Sequence, residues 1–389
     1  MPSPVKNYSS LSSAANVFSG TAGSLQAIMR ACLVTGYGAK AVQSLVIAAG
    51  IATLTYSTAH AYWIGGVLRV TGAGLGAVNG EKPVLSTSTT TVTFAVPGAP
   101  DGAVSGSIST DVAPAGWSEV FTAGAISVFK PNAPEATGVF LRVDDSGTTN
   151  ARVRAYESMT DANSGVGPTP LESQMAGGLY WSKSGATSAL ARPWYLVADS
   201  RGFYLAVSPQ GTDRYTLFYA GDIASFKSGD AYSYLLVGNQ SDQNAATTVP
   251  DGCCGYSHRS VRNGAYLVRA HTGVGQSVSA QRIGSHHVGT TADAYAGTAG
   301  YGLGAYPNGP NNGLMTGALE LFAAAGMRGS LPGLLHPVQD CGNAFATGAV
   351  VEGSDDLMDR KLLALRVAPP AGAVVPGTVF IDLTGFGGR

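Results

Sequence analysis

Four carboxylates in one short stretch, Asp144, Asp145, Glu157 and Asp161, are the first residues in this chain whose type could do chemistry. A facing pair would suit glycoside cleavage by general acid and base, and a cluster of oxygens would suit calcium. Their spacing matches no calcium loop, and adjacent residues on a strand point to opposite faces, so Asp144 and Asp145 do not form a pair. The sequence predicts instead a solvated turn in which Asp145 caps and Arg152 or Arg154 pairs across a hairpin. Histidines occur at 60, 258, 271, 286, 287 and 336. Only His286 and His287 are close, and adjacent side chains cannot easily face one ion. No Gly-x-Ser-x-Gly elbow is present, and no Gly-Lys-Ser/Thr follows the Gly- and Tyr-rich stretch 294–310, which reads as an exposed, adaptable loop. The motifs therefore predict no catalytic residue, no cofactor and no metal.

Aromatic pairs carry the remaining signal. Tyr180-Trp181, Trp194-Tyr195 and Phe218-Tyr219, with Phe203-Tyr204 and 232–234, sit in strand-like runs. A β-core turns alternate rings inward and leaves their neighbours for subunits or ligands. Tyr180, Trp181, Trp194, Tyr195, Phe218 and Tyr219 are therefore the candidate subunit or receptor contacts. A row of exposed rings would make a sugar platform, while rings turned inward would make core.

The elements that must hold these residues are mainly strands. Val139, Leu141 and Val143 alternate with Phe140 and Arg142, then Asp144, Asp145, Ser146 and Gly147 turn the chain into a second strand at 151–159, a hairpin at the edge of a sheet. Before it, 41–47, 51–57, 66–71, 82–86, 90–96 and 103–109 read as the strands of a small β-domain, with turns at Gly50, Asn79-Gly80 and Asp101-Gly102. The most apolar window, 45–54 (LVIAAGIATL), is too short to span ~30 Å of hydrocarbon and is broken by Ala49-Gly50, so it reads as two strands. One helix is expected: Ser24 as N-cap, Leu25, Ile28, Met29, Cys32 and Leu33 at helical spacing, then Gly36 and Gly38 as stops. The first twenty or so residues are polar and aperiodic and predict an arm ordered only by contacts, protease-sensitive when those are absent.

Composition agrees with strands and turns. Of 389 residues, 53 are Gly and 20 are Pro and only 12% are charged, which is far from a coiled-coil composition. Lys plus Arg number 23 against 24 acidic residues, so the chain lacks the basic footprint of a nucleic-acid or anionic-membrane binder. So little charge suggests a surface covered by neighbouring subunits or neutral hydroxyls. Four cysteines, Cys32, Cys253, Cys254 and Cys341, are too scattered for a disulfide framework and read as free thiols. The N-terminus has no apolar run after Lys6, unlike a signal peptide, and predicts synthesis in a cytoplasm.

As a string, 136–159 (ATGVFLRVDDSGTTNARVRAYESM) resembles a segment of structural proteins encoded among the tail genes of tailed bacteriophages. The likeness continues through 160–170 (TDANSGVGPTP), 180–183 (YWSK), 191–204 (ARPWYLVADSRGFY) and 221–232 (GDIASFKSGDAY), and reaches from 19 to 337. Residues 75–84 (LGAVNGEKPV) and 91–95 (TVTFA) are also similar to a small β-module of phage tail and baseplate proteins. Thr169-Pro170 stands where Phe-Pro is expected of the family, Leu334 where it tends to be aromatic, and Cys253-Cys254 is not expected of it.

The combined expectation is a mainly β protein of several small sandwich- or barrel-like domains with one short N-terminal helix. Its divisions are an arm and helix (1–39), a small β-domain (40–112), a central β-domain (113–246) and a C-terminal β-domain with long Gly-rich loops (247–389). The resemblance implies a virion part and does not say which one; taken with the composition, the reading is a component of the tail tip or baseplate, a symmetric homo-oligomer whose partners are itself and other tail proteins, with no nucleic acid and no membrane insertion. A receptor- or glycan-binding tail protein, with a host surface receptor as partner, is the alternative, and a depolymerase with a carboxylate pair in a cleft is the third.

Overall fold

Leu45 and Ile47 on one strand and Ala52 and Leu54 on the next are buried at 0–1% exposure, while Val46 and Ile51 face outward. That alternation folds 45–54 into the antiparallel hairpin of Ser44–Ala48 and Ile51–Thr55. Ala49 (φ 50°) and Gly50 (φ 74°) make its two-residue turn, both in the left-handed region that matches strand twist. The window is two strands, as the sequence predicts. In the computed structural model, which describes residues 5–242, 254, 263–284, 306–307, 313–339, 341, 343–368 and 377–387, the chain is mainly β with one short helix.

The small β-domain is built from two sheets. One runs Tyr37–Ala41, Gly106–Val112, Val67–Ala73, Gly80–Pro83; the other runs Ser86–Thr87, Thr91–Ala95, Ile51–Thr55, Ser44–Ala48, Gly102–Ala103. Leu68, Val70 and Ile108 from the first meet Leu54, Val92 and Phe94 from the second in one core. The strand positions lie close to those read from alternation.

The central sheet is larger than expected and takes strands from three of the predicted regions. Its main path is Lys6–Ser9, Trp194–Ala198, Gly202–Val207, Thr216–Asp222, Tyr234–Asn239, Leu179–Ser182, Asn150–Met159, Phe140–Asp144, Ile126–Pro131, Trp117–Ala123. The hairpin that the sequence puts at a sheet edge is interior, flanked by Ile126–Pro131 and Leu179–Ser182. Asn263–Leu267 joins Tyr234–Asn239, so pairing crosses 246/247. The C-terminal sheet, Gln281–Gly284, Thr316–Ala323, Gly326–Pro337, Gly377–Asp382, Lys361–Val367, Val350–Glu352, recruits Ala224–Ser225 from the central region. One continuous apolar core reaches from Val5 to Phe386.

The N-terminal segment belongs to this core. Lys6–Ser9 pairs with Trp194–Ala198, and Tyr8 and Phe18 are 2% and 1% exposed. The segment has no core of its own, as its composition says, and its ordering contacts come from its own chain. The helix Ser24–Met29 continues into a π-helical stretch, Arg30–Thr35, that ends at Gly36 (φ 78°). Leu25, Ile28, Met29, Cys32 and Leu33 are all buried, the stripe that the spacing predicts. Among the described residues no helix is long and apolar enough to cross a membrane.

Candidate functional site

The four carboxylates diverge. Val139, Leu141 and Val143 face the core, so Asp144 at the strand end points outward, where it accepts from the Ser146 N–H (3.2 Å) and hydroxyl (2.6 Å) and meets Arg142. Burial opposes ionisation of Asp144, but these bonds outweigh it and hold its carboxyl below the usual range. Glu157 receives both arms of Arg269, at 2.6 and 2.7 Å. Asp161 accepts from the Asn163 and Ser164 N–H groups of its own turn.

Asp145 departs furthest from expectation. It caps, but in the interior and on a distant element. One oxygen accepts from the backbone N–H of Leu25 (2.8 Å) and Gln26 (3.0 Å), the opening turn of the helix, and the other lies against the Lys183 ammonium. Both side chains of this ion pair are 0% exposed. Lys183 also donates to the carbonyls of Thr21 (2.7 Å) and Gly147 (2.8 Å), so its charge is well solvated by protein. Burial pushes the Asp145 carboxyl up and the Lys183 amine down, and each is pulled back by the other. Gly23, not Ser24, precedes the helix; the Ser24 hydroxyl donates to the Ser19 carbonyl instead. Arg152 and Arg154 are not bound to Asp145: Arg152 lies 3.8 Å over the Tyr180 ring, and Arg154 pairs with Glu172.

Of the six aromatic candidates, only Tyr180 is half-exposed; Trp181, Trp194, Tyr195, Phe218 and Tyr219 are buried within the chain. The physical reason is a sheet covered on both faces. Every residue of Trp194–Ala198, Gly202–Val207, Thr216–Asp222 and Tyr234–Asn239 is buried, so both members of each dipeptide face protein. On one face Trp181 stacks on Phe218 (5.7 Å, 21°) and meets the edge of Phe203, which in turn meets Trp117. On the other, Tyr204 packs on Tyr219 (4.7 Å), donates to the Pro332 carbonyl (2.8 Å) and meets Phe386 edge-on, contacts that come from the C-terminal region. The dipeptides are core on two sides, and they present no row of rings to solvent.

Models of protein families and curated protein sequences give the chain no match.

Two cavities open in the described surface. One, about 470 Å³, is lined by Thr137, Arg201, Ser225, Lys227 and Asp230 among others. Two of its charged groups are in ion pairs, Arg201 with the buried Asp222 and Asp230 with Arg328; Lys227 donates to the His271 carbonyl, and Glu135 stands on the wall beside them. Burial opposes ionisation of Asp230, but Arg328 and the Ser225 hydroxyl outweigh it and lower its carboxyl below the usual range. The other cavity, about 380 Å³, lies where three sheets meet, between Asn7 and Ser9, the 60–64 loop, Tyr195, and Gly348 with Leu363. Here His60 is held by its own neighbours: Nε2 meets the Thr91 carbonyl (3.1 Å), Nδ1 accepts from the Tyr62 N–H (3.2 Å), and the ring stacks on Tyr62. This cavity was not visible in the sequence, because its walls come from five separated segments. The signal that could have marked it is Trp63, an aromatic outside any strand, followed by Gly65-Gly66.

His258, His286, His287 and Cys253 lie outside the described residues, as does the 294–310 loop apart from Tyr306 and Pro307. Cys32, Cys254 and Cys341 are buried and in no disulfide with one another. Among the described residues no group of three or more His, Cys, Asp or Glu is arranged to hold a metal.

Proposed function

We propose that the protein is a structural component of a tailed-bacteriophage virion, in the tail tip or baseplate region, that acts through contacts between subunits. The observation that carries this reading is the outer surface. Leu11, Val17, Ile64, Val166, Leu190, Phe226, Val274 and Met358 are each more than 60% exposed in a chain with few charges. Large apolar side chains left in water favour association, at roughly 25 cal/mol for each Å² that a partner covers. The β architecture and the tail-gene resemblance of 136–232 support the same reading. In this reading the interior aromatics make each subunit rigid, and outer apolar residues such as Val166, Phe226 and Val274 form the contacts of a closed, symmetric homo-oligomer.

The test is direct. Mass spectrometry and a cryo-EM map of particles from a phage that encodes this chain should find several symmetry-related copies touching in the tail, with Val166, Phe226 or Val274 covered. Absence from purified particles, together with a monodisperse monomer in light scattering, refutes it.

A further inference from the structure

We propose that the cavity between Asn7, the 60–64 loop and Tyr195 binds one neutral sugar ring, a hexopyranose unit of a surface glycan. The proposal goes beyond the virion reading and does not rest on it. At about 380 Å³ the cavity is within the usual range for small ligands, roughly 300–1,000 Å³. It also lies at the junction of the N-terminal strand, the small β-domain and the C-terminal sheet, the kind of seam where ligand pockets form.

The chemistry of the walls selects the ligand. No Asp, Glu, Lys or Arg lines the cavity, so a charged ligand would lose water and meet no counter-charge. The aromatic part is Trp63. A Cβ on Gly66 would sit 2.8 Å from its Cε2, so the indole rests directly on the glycine backbone, and its Nε1 donates to the Asn7 Oδ1 at 3.4 Å. The ring is thus seated on one side, anchored at its edge and half-exposed. A pyranose has a face of C–H groups that matches the negative face of such a ring, and hydroxyls around its rim that need donors and acceptors. Ser9 and Ser13 supply both kinds, and Ser12, whose hydroxyl donates to the Ala61 carbonyl (3.4 Å), supplies an acceptor. Gly348 (φ 84°) leaves room for the Tyr195 hydroxyl on the opposite wall, where any Cβ would overlap it. His60, with both ring nitrogens engaged, is a wall and not an acid or base.

Fluorescence reads this site. Trp117, Trp181 and Trp194 are at most 2% exposed, so Trp63 is the indole that an added quencher reaches. The full chain should be titrated with the methyl glycosides of glucose, galactose, mannose and N-acetylglucosamine, reading emission and protection from acrylamide, with saturation-transfer NMR on the sugar protons. At least one should give a saturable change at a single site. Trp63→Ala should weaken the NMR-detected binding at least about tenfold. Leu11→Arg should do the same: Leu11 lines the cavity and is 78% exposed, so the change crowds the mouth without touching the core. The proposal is overturned if none of the four sugars binds, if binding survives Leu11→Arg unchanged, or if anionic sialic acid binds more tightly than the neutral glycosides.

Discussion

Replacing Lys183 with methionine leaves the Asp145 carboxylate in the interior without its counter-ion. Both groups are 0% exposed, so the folded chain leaves the carboxylate without water to replace the ammonium. Removing one partner of such a pair costs about 3–5 kcal/mol. The Thr21 and Gly147 carbonyls lose their donor as well, which pushes toward the upper end, while the Leu25 and Gln26 N–H groups still hold the carboxylate and push back. A loss of about 4 kcal/mol near pH 7 is expected. Its pH dependence has a definite sign. The Asp145 carboxyl is pushed up by burial even beside Lys183, and without the ammonium it rises further. A carboxyl raised in the folded state takes up a proton more readily folded than unfolded, so the variant should lose stability as pH rises through that value and regain it on acidification. Asp145→Asn combined with Lys183→Met removes both charges, keeps an oxygen for the helix N–H groups, and should recover most of the loss. Urea unfolding followed by tryptophan emission, at about pH 5 and about pH 8, measures all three proteins. A Lys183→Met cost under about 1 kcal/mol with no pH dependence, or a double variant no better than the single, would refute the account of the pair.

Three further outcomes follow from packing. Gly221→Ala should destabilise the chain by about 1–3 kcal/mol in the same urea assay, because Gly221 (φ 148°) faces Gly202 across the ladder and a Cβ there meets the Gly202 Cα. Cys32 and Cys254 have thiols pushed up by burial, Cys254 to about 12, and Cys341 is equally buried, so a disulfide reagent should label these three only after unfolding, as mass spectrometry of trapped thiols will report. Trypsin should leave Lys6 uncut in the folded monomer, since it is 2% exposed inside a paired strand; early cleavage at Lys6 under native conditions would contradict the fold.

Local pattern carried the fold a long way. The strands of the small sandwich were legible because 45–54 alternates at period two around Ala49-Gly50, and the helix because Leu25 to Leu33 share one stripe. What local pattern does not encode is the layer on the far side of a strand. Phe203-Tyr204 and Phe218-Tyr219 look the same whether one face or both are covered, and only the Tyr204 contacts to Pro332 and Phe386 decide it. Asp145 was readable as a cap and as part of a turn, but its N–H donors lie 119 and 120 positions away. The sugar-sized cavity is a product of three sheets meeting, and Trp63 alone does not announce it.

The N-terminal strand has a consequence for how this chain is made. Ser10 bonds to Trp194, 184 positions further on, and the helix that follows is anchored by Asp145 and Lys183. At a synthesis rate of ~5–20 residues per second, Lys6–Ser9 waits roughly 10–40 s after its own synthesis for its partner strand to exist. The helix finds its partners earlier, on Ala115, Gly116 and Asp145, and Tyr8 meets Tyr37 and the Ala113 carbonyl, so throughout that interval it is the edge of Lys6–Ser9 that has no strand to pair with. Nascent chains that stop short of Trp194–Ala198 therefore carry an unpaired strand that a chaperone can hold, and the synthesis of Trp194–Ala198 ends that exposure.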